Sequence, residues 1–224
     1  MVPGGSGSPR NTERLRAELS ELSNEVAMLK SALADRDREI EGIMQCQRSL
    51  EELGIPELET TLARVIGRNP SGPPCRIIID RGTIHGVAAG CGVIWRGCVV
   101  GIVSKAGRRA SVVALVSAPE CNIPALLVGS GENGITRGEA ALSETFKLQR
   151  IHQHPPKIGE IVSTSGLLGI FPRSLIIGHV KSASERLRDL HYDITVQPSA
   201  NLTSLHSVLV LLPRNEELRR LLSP

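Results

Sequence analysis

"TSGLLGIFPRSLIIGHV", residues 164–180, poses the choice that decides the fold. Ser165 stands beside Gly166, Gly169 follows three positions later, and Phe171-Pro172 precedes a β-branched run broken by Gly178. One reading makes Ser165 a nucleophile on a glycine-rich elbow. The other makes the stretch a turn between two barrel strands. A chymotrypsin-like double-barrel hydrolase sets its serine in Gly-Asp-Ser-Gly-Gly, with backbone N–H groups forming an oxyanion hole. Here Thr164 precedes Ser165 and Gly-Leu follows. No Gly-x-Ser-x-Gly elbow is present either. His85, His152, His154 and Asp80 are candidate partners by type, but nothing in the sequence gathers them. The stretch therefore reads as a turn. Ser165 and Gly166 shape it, Gly169 relieves crowding, and Phe171-Pro172 packs a ring over a barrel mouth. No catalytic residue is expected.

Outward from that turn, short β-branched runs alternate with glycines: "RIIID", "GVIW", "CVVGIV", "SVVALV", "IPALLV", "GITRGEAAL", "EIVST", "LIIGHV", "YDITV" and "SVLVLL". Their spacing is that of hairpins, and no intervening helix is long enough for a βαβ crossover. The expectation is a mainly β protein with a double β-barrel region over 62–212, its second barrel at roughly 117–180. Asp80 and Gly82 form a turn after "RIII". Gly97 sits where a tight hairpin requires positive φ, and Gly101 permits a bend. With Trp95 opposite Cys98, the register places Cys91 opposite Ile102.

Upstream the period changes from two to three and a half. Residues 13–54 read as a coiled-coil helix. Leu15, Leu22, Leu29, Ile43 and Leu50 occupy d positions, and Leu19, Val26, Leu33 and Ile40 occupy a positions. Arg36 and Gln47 break the seam. A long arginine side chain can leave the seam with its charge in water. Glu25 at g can reach Lys30 at e of a parallel partner. Leu at d suits a homodimer and leaves a trimer open. About 36 helical residues would reach about 54 Å. Gly54 and Pro56 end the helix. Residues 1–12 read as a flexible leader or tag, and 213–224 as a C-terminal tail.

The bulk numbers exclude several classes. Aromatic residues are 2% of 224, too few for base-stacking platforms, and a net charge of +3 with no basic block argues against nucleic acid. No apolar run of membrane-spanning length occurs. Five cysteines without a C-x-x-C pair do not fit a zinc site. "HQHPP" at 152–156 holds two histidines but no further ligand nearby. "GSGEN" at 129–133 mimics a phosphate cradle but lacks the Lys-Ser/Thr and helix of a P-loop. No cofactor or metal is expected. Trp95, beside Arg96-Gly97, is either barrel packing or a partner anchor.

The ordered set "ARVIGR…RIIIDRG…GV…VIWRGCVVGIV", then "SVVALVSAPECNIPALLVGSGENGITRG", "GEIVSTSGLLGIFPRSLIIGHV" and "YDITVQPSANLTSLHSVLVLL", resembles the bacterial rod shape-determining protein MreC family. The resemblance spans nearly all of 62–212, with a coiled coil in the right place before it. It implies two small β-barrels behind a dimerising coil. It implies a non-catalytic scaffold of the lateral cell-wall elongation machinery that maintains cell shape by binding peptidoglycan-synthesis and cytoskeletal-linker proteins, with a class B penicillin-binding transpeptidase and other elongation-complex membrane proteins as partners. It also implies a place on the periplasmic face of the inner membrane, anchored by an N-terminal helix absent from this chain. Ser174 departs from the glycine that usually follows Phe-Pro in the family, which predicts a different turn there. A double-barrel hydrolase and an unrelated coiled-coil adaptor are the alternatives.

Overall fold

The computed structural model describes residues 9–52, 59–68, 75–139, 145–151, 155–167, 169–186 and 191–212. The proposed tail, the Gly54–Pro56 helix stop, His152 and His154 lie outside them.

Helix α1, Pro9–Glu52, has 44 residues and is about 66 Å long. It begins within the stretch expected to be a leader, so residues 9–12 are helical. Proline is well suited to the first helical turn, where its missing N–H has no partner to lose. Leu15, Leu19, Leu22, Val26, Leu29, Leu33 and Ile40 are all exposed on this single chain, at 43–65%.

The β region contains twelve strands among the described residues: β1 (Thr60–Arg68), β2 (Arg76–Ile79), β3 (Gly92–Trp95), β4 (Cys98–Ala106), β5 (Ser111–Leu115), β6 (Pro124–Leu127), β7 (Asn133–Gly138), β8 (Phe146–Gln149), β9 (Ile161–Thr164), β10 (Ile176–Arg186), β11 (His191–Pro198) and β12 (Ser207–Leu211). Their pairings close two rings. Barrel one runs β4-β3-β12-β1-β2-β5 and returns to β4. Barrel two runs β10-β11-β8-β7-β6-β9 and returns to β10. A single parallel pairing, Ile176 opposite Cys98, links the rings. Closure leaves neither barrel a free strand edge.

The second barrel extends well past residue 180. Strand β10 continues to Arg186 and turns back as β11, which reaches Pro198 and pairs with β8. Barrel two is thus an insertion between β5 and β12 of barrel one. The sequence understates it because the outer half of β10, "KSASER", lacks apolar alternation. β8, "FKLQ", is also absent from the expected strands. It is short, yet it buries Phe146 and Leu148.

Both barrels fill with aliphatic side chains that alternate inward along each strand. In β2, Ile77 and Ile79 are fully buried, while Arg76 and Ile78 face out. Bulges bend the strands. In β4, Val99 pairs with Ile94 but Gly101 pairs with Val93, so Val100 is the extra residue. That one-residue shift carries Cys91 past Ile102: the Val103 N–H donates to Cys91 O at 2.9 Å. Cys75, Cys91, Cys98 and Cys121 are all thiols. Burial pushes the Cys121 thiol up to about 12, so it stays protonated.

Candidate functional site

The 164–175 stretch is a turn that clasps the two barrels together. Thr164, ending β9, donates from Oγ1 to Pro172 O at 2.5 Å, and its Oγ1 accepts from Leu175 N–H at 3.0 Å. Ser174 N–H donates to Thr164 O. Phe171, almost wholly buried, packs closely against Gly92 of β3 in barrel one. A Cβ on Gly92 would stand 2.6 Å from the phenyl ring. Phe171 is therefore a peg between barrels. Gly166 and Gly169 hold left-handed φ values of 76° and 67°. A Cβ on Gly169 would meet nothing within 4 Å, so its conformation is what glycine serves there, not crowding. Ser174 occupies a left-handed position too, at φ 70°. The turn thus takes a glycine-like conformation with a serine in it.

Ser165 is buried, and its Oγ accepts from Leu167 N–H at 3.4 Å. His85 and Asp80 are engaged elsewhere. His85 Nδ1 accepts from Gly82 N–H at 3.1 Å. The Asp80 carboxylate accepts from Arg64 N–H at 2.7 Å and Arg64 Nε at 3.1 Å, and Arg81 Nη1 stands 3.3 Å away. Burial pushes the Asp80 carboxyl up, but the Arg64 hydrogen bonds and the Arg81 and Arg64 charges outweigh it and hold it below its ordinary value. Ser165, His85 and Asp80, the candidate triad members among the described residues, are thus each committed to a local structural partner.

The Asp80–Gly82 corner belongs to barrel one. Asp80 locks the end of β2 to β1. Gly82 passes so close to Gly107 O that any Cβ would collide with it. The hairpin between β3 and β4 places Arg96 at φ 51° and Gly97 at φ 74°, the two positive values a two-residue type I′ turn requires. Trp95 is half-buried against the core, with the Arg96 guanidinium 5.9 Å from its ring centroid.

"GSGEN" does cradle an anion, and the anion is the protein's own. Glu160 Oε1 accepts from Gly129 N–H at 2.9 Å and Ser130 N–H at 3.1 Å, and Oε2 accepts from Lys157 N–H at 3.0 Å. A Cβ on Gly129 would stand 2.7 Å from Oε1. One carboxylate thereby ties two turns of barrel two together, and those turns present Val128 and Ile158, the latter 78% exposed. Ile161 flanks them, its carbonyl accepting from Val128 N–H. Barrel one carries a comparable patch where Ile66 and Ile78 lie exposed on neighbouring strands. Exposed aliphatic side chains on closed, rigid barrels suit protein contacts better than chemistry. Nothing in the sequence pairs Glu160 with residues 129 and 130. Its role was legible only once β6 and β9 were seen to be neighbours.

A cavity along Gln197–Thr203, about 320 Å³, is open and lined by the end of β11 and the loop after it, without an ionisable side chain. Arg68 organises that loop, its guanidinium donating to the carbonyls of Leu202, Thr203 and Leu205. Among the described residues, no cluster of three or more His, Cys, Asp or Glu is arranged to hold a metal, and no helix is long and apolar enough to cross a membrane.

Residues 65–212 match the family described as "Rod shape-determining protein MreC, barrel core". The chain is 27% identical over 206 residues to the cell shape-determining protein MreC of Listeria monocytogenes, covering 90% of this chain and 69% of that protein. Over 217 residues it is 27% identical to its counterpart in Bacillus subtilis, covering 90% and 71%. Among solved structures, MreC of Listeria superposes with a TM-score of 0.62 at 27% identity, over 87% of this chain and 94% of that one. The MreC chain in a complex between Penicillin-Binding Protein (PBP2) and MreC from Helicobacter pylori shares the fold, with a TM-score of 0.58 at 17% identity, over 71% and 100%.

Proposed function

We propose a scaffold function from one premise: the chain belongs to the rod shape-determining protein MreC family. That family consists of cell shape-determining structural proteins and not of enzymes. The observation that carries the reading is the family match, which covers both barrels.

The chain pairs with a second copy through α1, in parallel, along Leu15, Leu19, Leu22, Val26, Leu29, Leu33, Ile40, Ile43 and Leu50. The exposure of this stripe on the single chain supports that pairing, since seven leucine-class side chains in water are costly. The barrels bind peptidoglycan-synthesis proteins at the periplasmic face of the inner membrane, among them a class B penicillin-binding transpeptidase, and other membrane proteins of the elongation complex. The Helicobacter complex with PBP2 supports this choice of partner. Paired heads raise the effective concentration for any partner that presents two sites. Cells depleted of the native protein and supplied with variants test the reading. Rod shape should be rescued by the intact protein but not by one lacking residues 59–212, and a transpeptidase should co-purify under gentle crosslinking. Rescue without the barrels, or the absence of any wall-synthesis protein from the crosslinked material, would leave an unrelated adaptor as the better account.

A further inference from the structure

Barrel one is electrically lopsided. Its described residues hold eight Arg and Lys against Glu59, Asp80 and Glu120. The three acids do not offset the cations evenly. Asp80 is held by Arg64 and Arg81, and Glu120 is bonded to Arg76 at 2.6 Å. Lys105, Arg108 and Arg109 are all exposed and form no ion pair with described residues. They share one end of the barrel, on and beside the tight turn that joins β4 to β5.

A second observation at that end concerns Ile84. It is 55% exposed on the 3-10 turn Thr83–His85. That turn hangs directly on the basic hairpin: Thr83 N–H donates to Gly107 O at 2.9 Å, and Ile84 N–H donates to Arg108 O at 3.3 Å. Gly82 permits this close approach, and Ser111 Oγ fixes the segment by donating to Arg81 O at 2.7 Å. The isoleucine is thus mounted rigidly next to the cations. It is not a loose loop residue.

We propose that this tip, Ile84 with Lys105, Arg108 and Arg109, docks barrel one on an anionic phospholipid bilayer. A bilayer supplies both things the tip lacks. Its phosphates meet the unpaired cations, and its acyl boundary takes the isoleucine. A soluble acidic polymer would satisfy the charges but leave Ile84 in water. The contact is weak for one head, at about fivefold in partition per basic residue. It depends on salt, because surface charges are screened. Its use is orientation: it would hold barrel one at the membrane with the rest of its surface directed away. The proposal goes beyond the scaffold reading and does not depend on it.

The test uses the full chain and vesicles of phosphatidylcholine, with or without phosphatidylglycerol, in a flotation assay. Binding should favour the anionic vesicles by at least about tenfold and fall as salt rises. Arg108→Glu with Arg109→Glu should reduce it to the phosphatidylcholine level. Ile84→Ser should weaken it severalfold while keeping the salt dependence. All three side chains are exposed, so thermal melts should match the parent and exclude misfolding. Equal binding to both vesicle types would overturn the proposal, as would binding indifferent to the Arg108 and Arg109 reversals. Retention on soluble polyglutamate that matches the vesicles and ignores Ile84 would reassign the tip to an acidic protein and overturn it too.

Discussion

Leu29 and Leu115 are the same side chain under opposite conditions. The first is 59% exposed on α1, and the second is fully buried in β5. The barrels bury most of their hydrophobic residues in their own cores, whereas the helix displays its own in an exposed stripe, the one through which pairing with a second copy is proposed. A segment's apolar pattern therefore has two distinct meanings. Period two inside a closed ring signals a self-sufficient core. Period three and a half on a helix whose apolar stripe stays exposed is the pattern from which pairing is proposed.

The sharpest way to break that contrast is at the helix. Leu22→Arg with Leu29→Arg places two charges per chain in the seam. Association should weaken by about 3 kcal/mol or more per site, hence by about ten-thousandfold or more in Kd for the two sites, as read by sedimentation equilibrium. The melting of the barrels should not change. An unchanged mass distribution would refute pairing through this stripe.

Phe146→Ala probes the other side. It empties the largest fully buried position and should cost about 3–5 kcal/mol in denaturant unfolding, with no effect on association through α1. Phe171→Ala should cost less, about 2–3 kcal/mol, because its loop can settle into part of the space left against Gly92. Its signature is earlier proteolysis within 165–174.

The smallest expected effect is at Asp80. Removing its charge-assisted hydrogen bonds with Asp80→Asn should cost about 1 kcal/mol at neutral pH, discounted because Arg64 is largely exposed. The folded-state pKa lies below the ordinary carboxylate value. The stabilisation is therefore fully present above the ordinary value and is lost as pH falls through the depressed one. Urea midpoints of parent and variant should differ above the ordinary carboxylate range and converge as pH falls through the depressed value. A gap that persists at low pH would assign the effect to shape, not charge.

How much of this was legible in the sequence follows the range of the interaction. The α1 seam rests on contacts three and four residues apart, and its pattern is written locally. The type I′ turn at Arg96-Gly97 and the many short strands were equally local. The bulge at Val100 was not, because a bulge reads as one more valine in "CVVGIV", and it moved the partner of Cys91 by one residue. The extent of barrel two was hidden by the serines of β10. Glu160 acts across about thirty residues on the backbone N–H groups of Gly129 and Ser130, as well as on that of nearby Lys157, and backbone groups have no side-chain identity to recognise. Phe171 stood out as a packing ring, but not that Gly92 receives it.

The position of β12 sets the order of assembly. It lies between β1 and β3 and closes barrel one, yet it comes last in the chain among the described strands. Until it arrives, β1 and β3 each present an open row of backbone donors and acceptors, the kind of edge that recruits foreign strands. Barrel two has no such debt, because its six strands are consecutive in the chain. As the polypeptide emerges amino end first, the second barrel can close while the first still waits. The interval of risk equals the time needed to deliver the 91 residues from Val116 to His206 that separate β5 from β12. The nascent first barrel must be kept from self-association throughout that interval, and a defect that slows barrel two would surface as aggregation of barrel one.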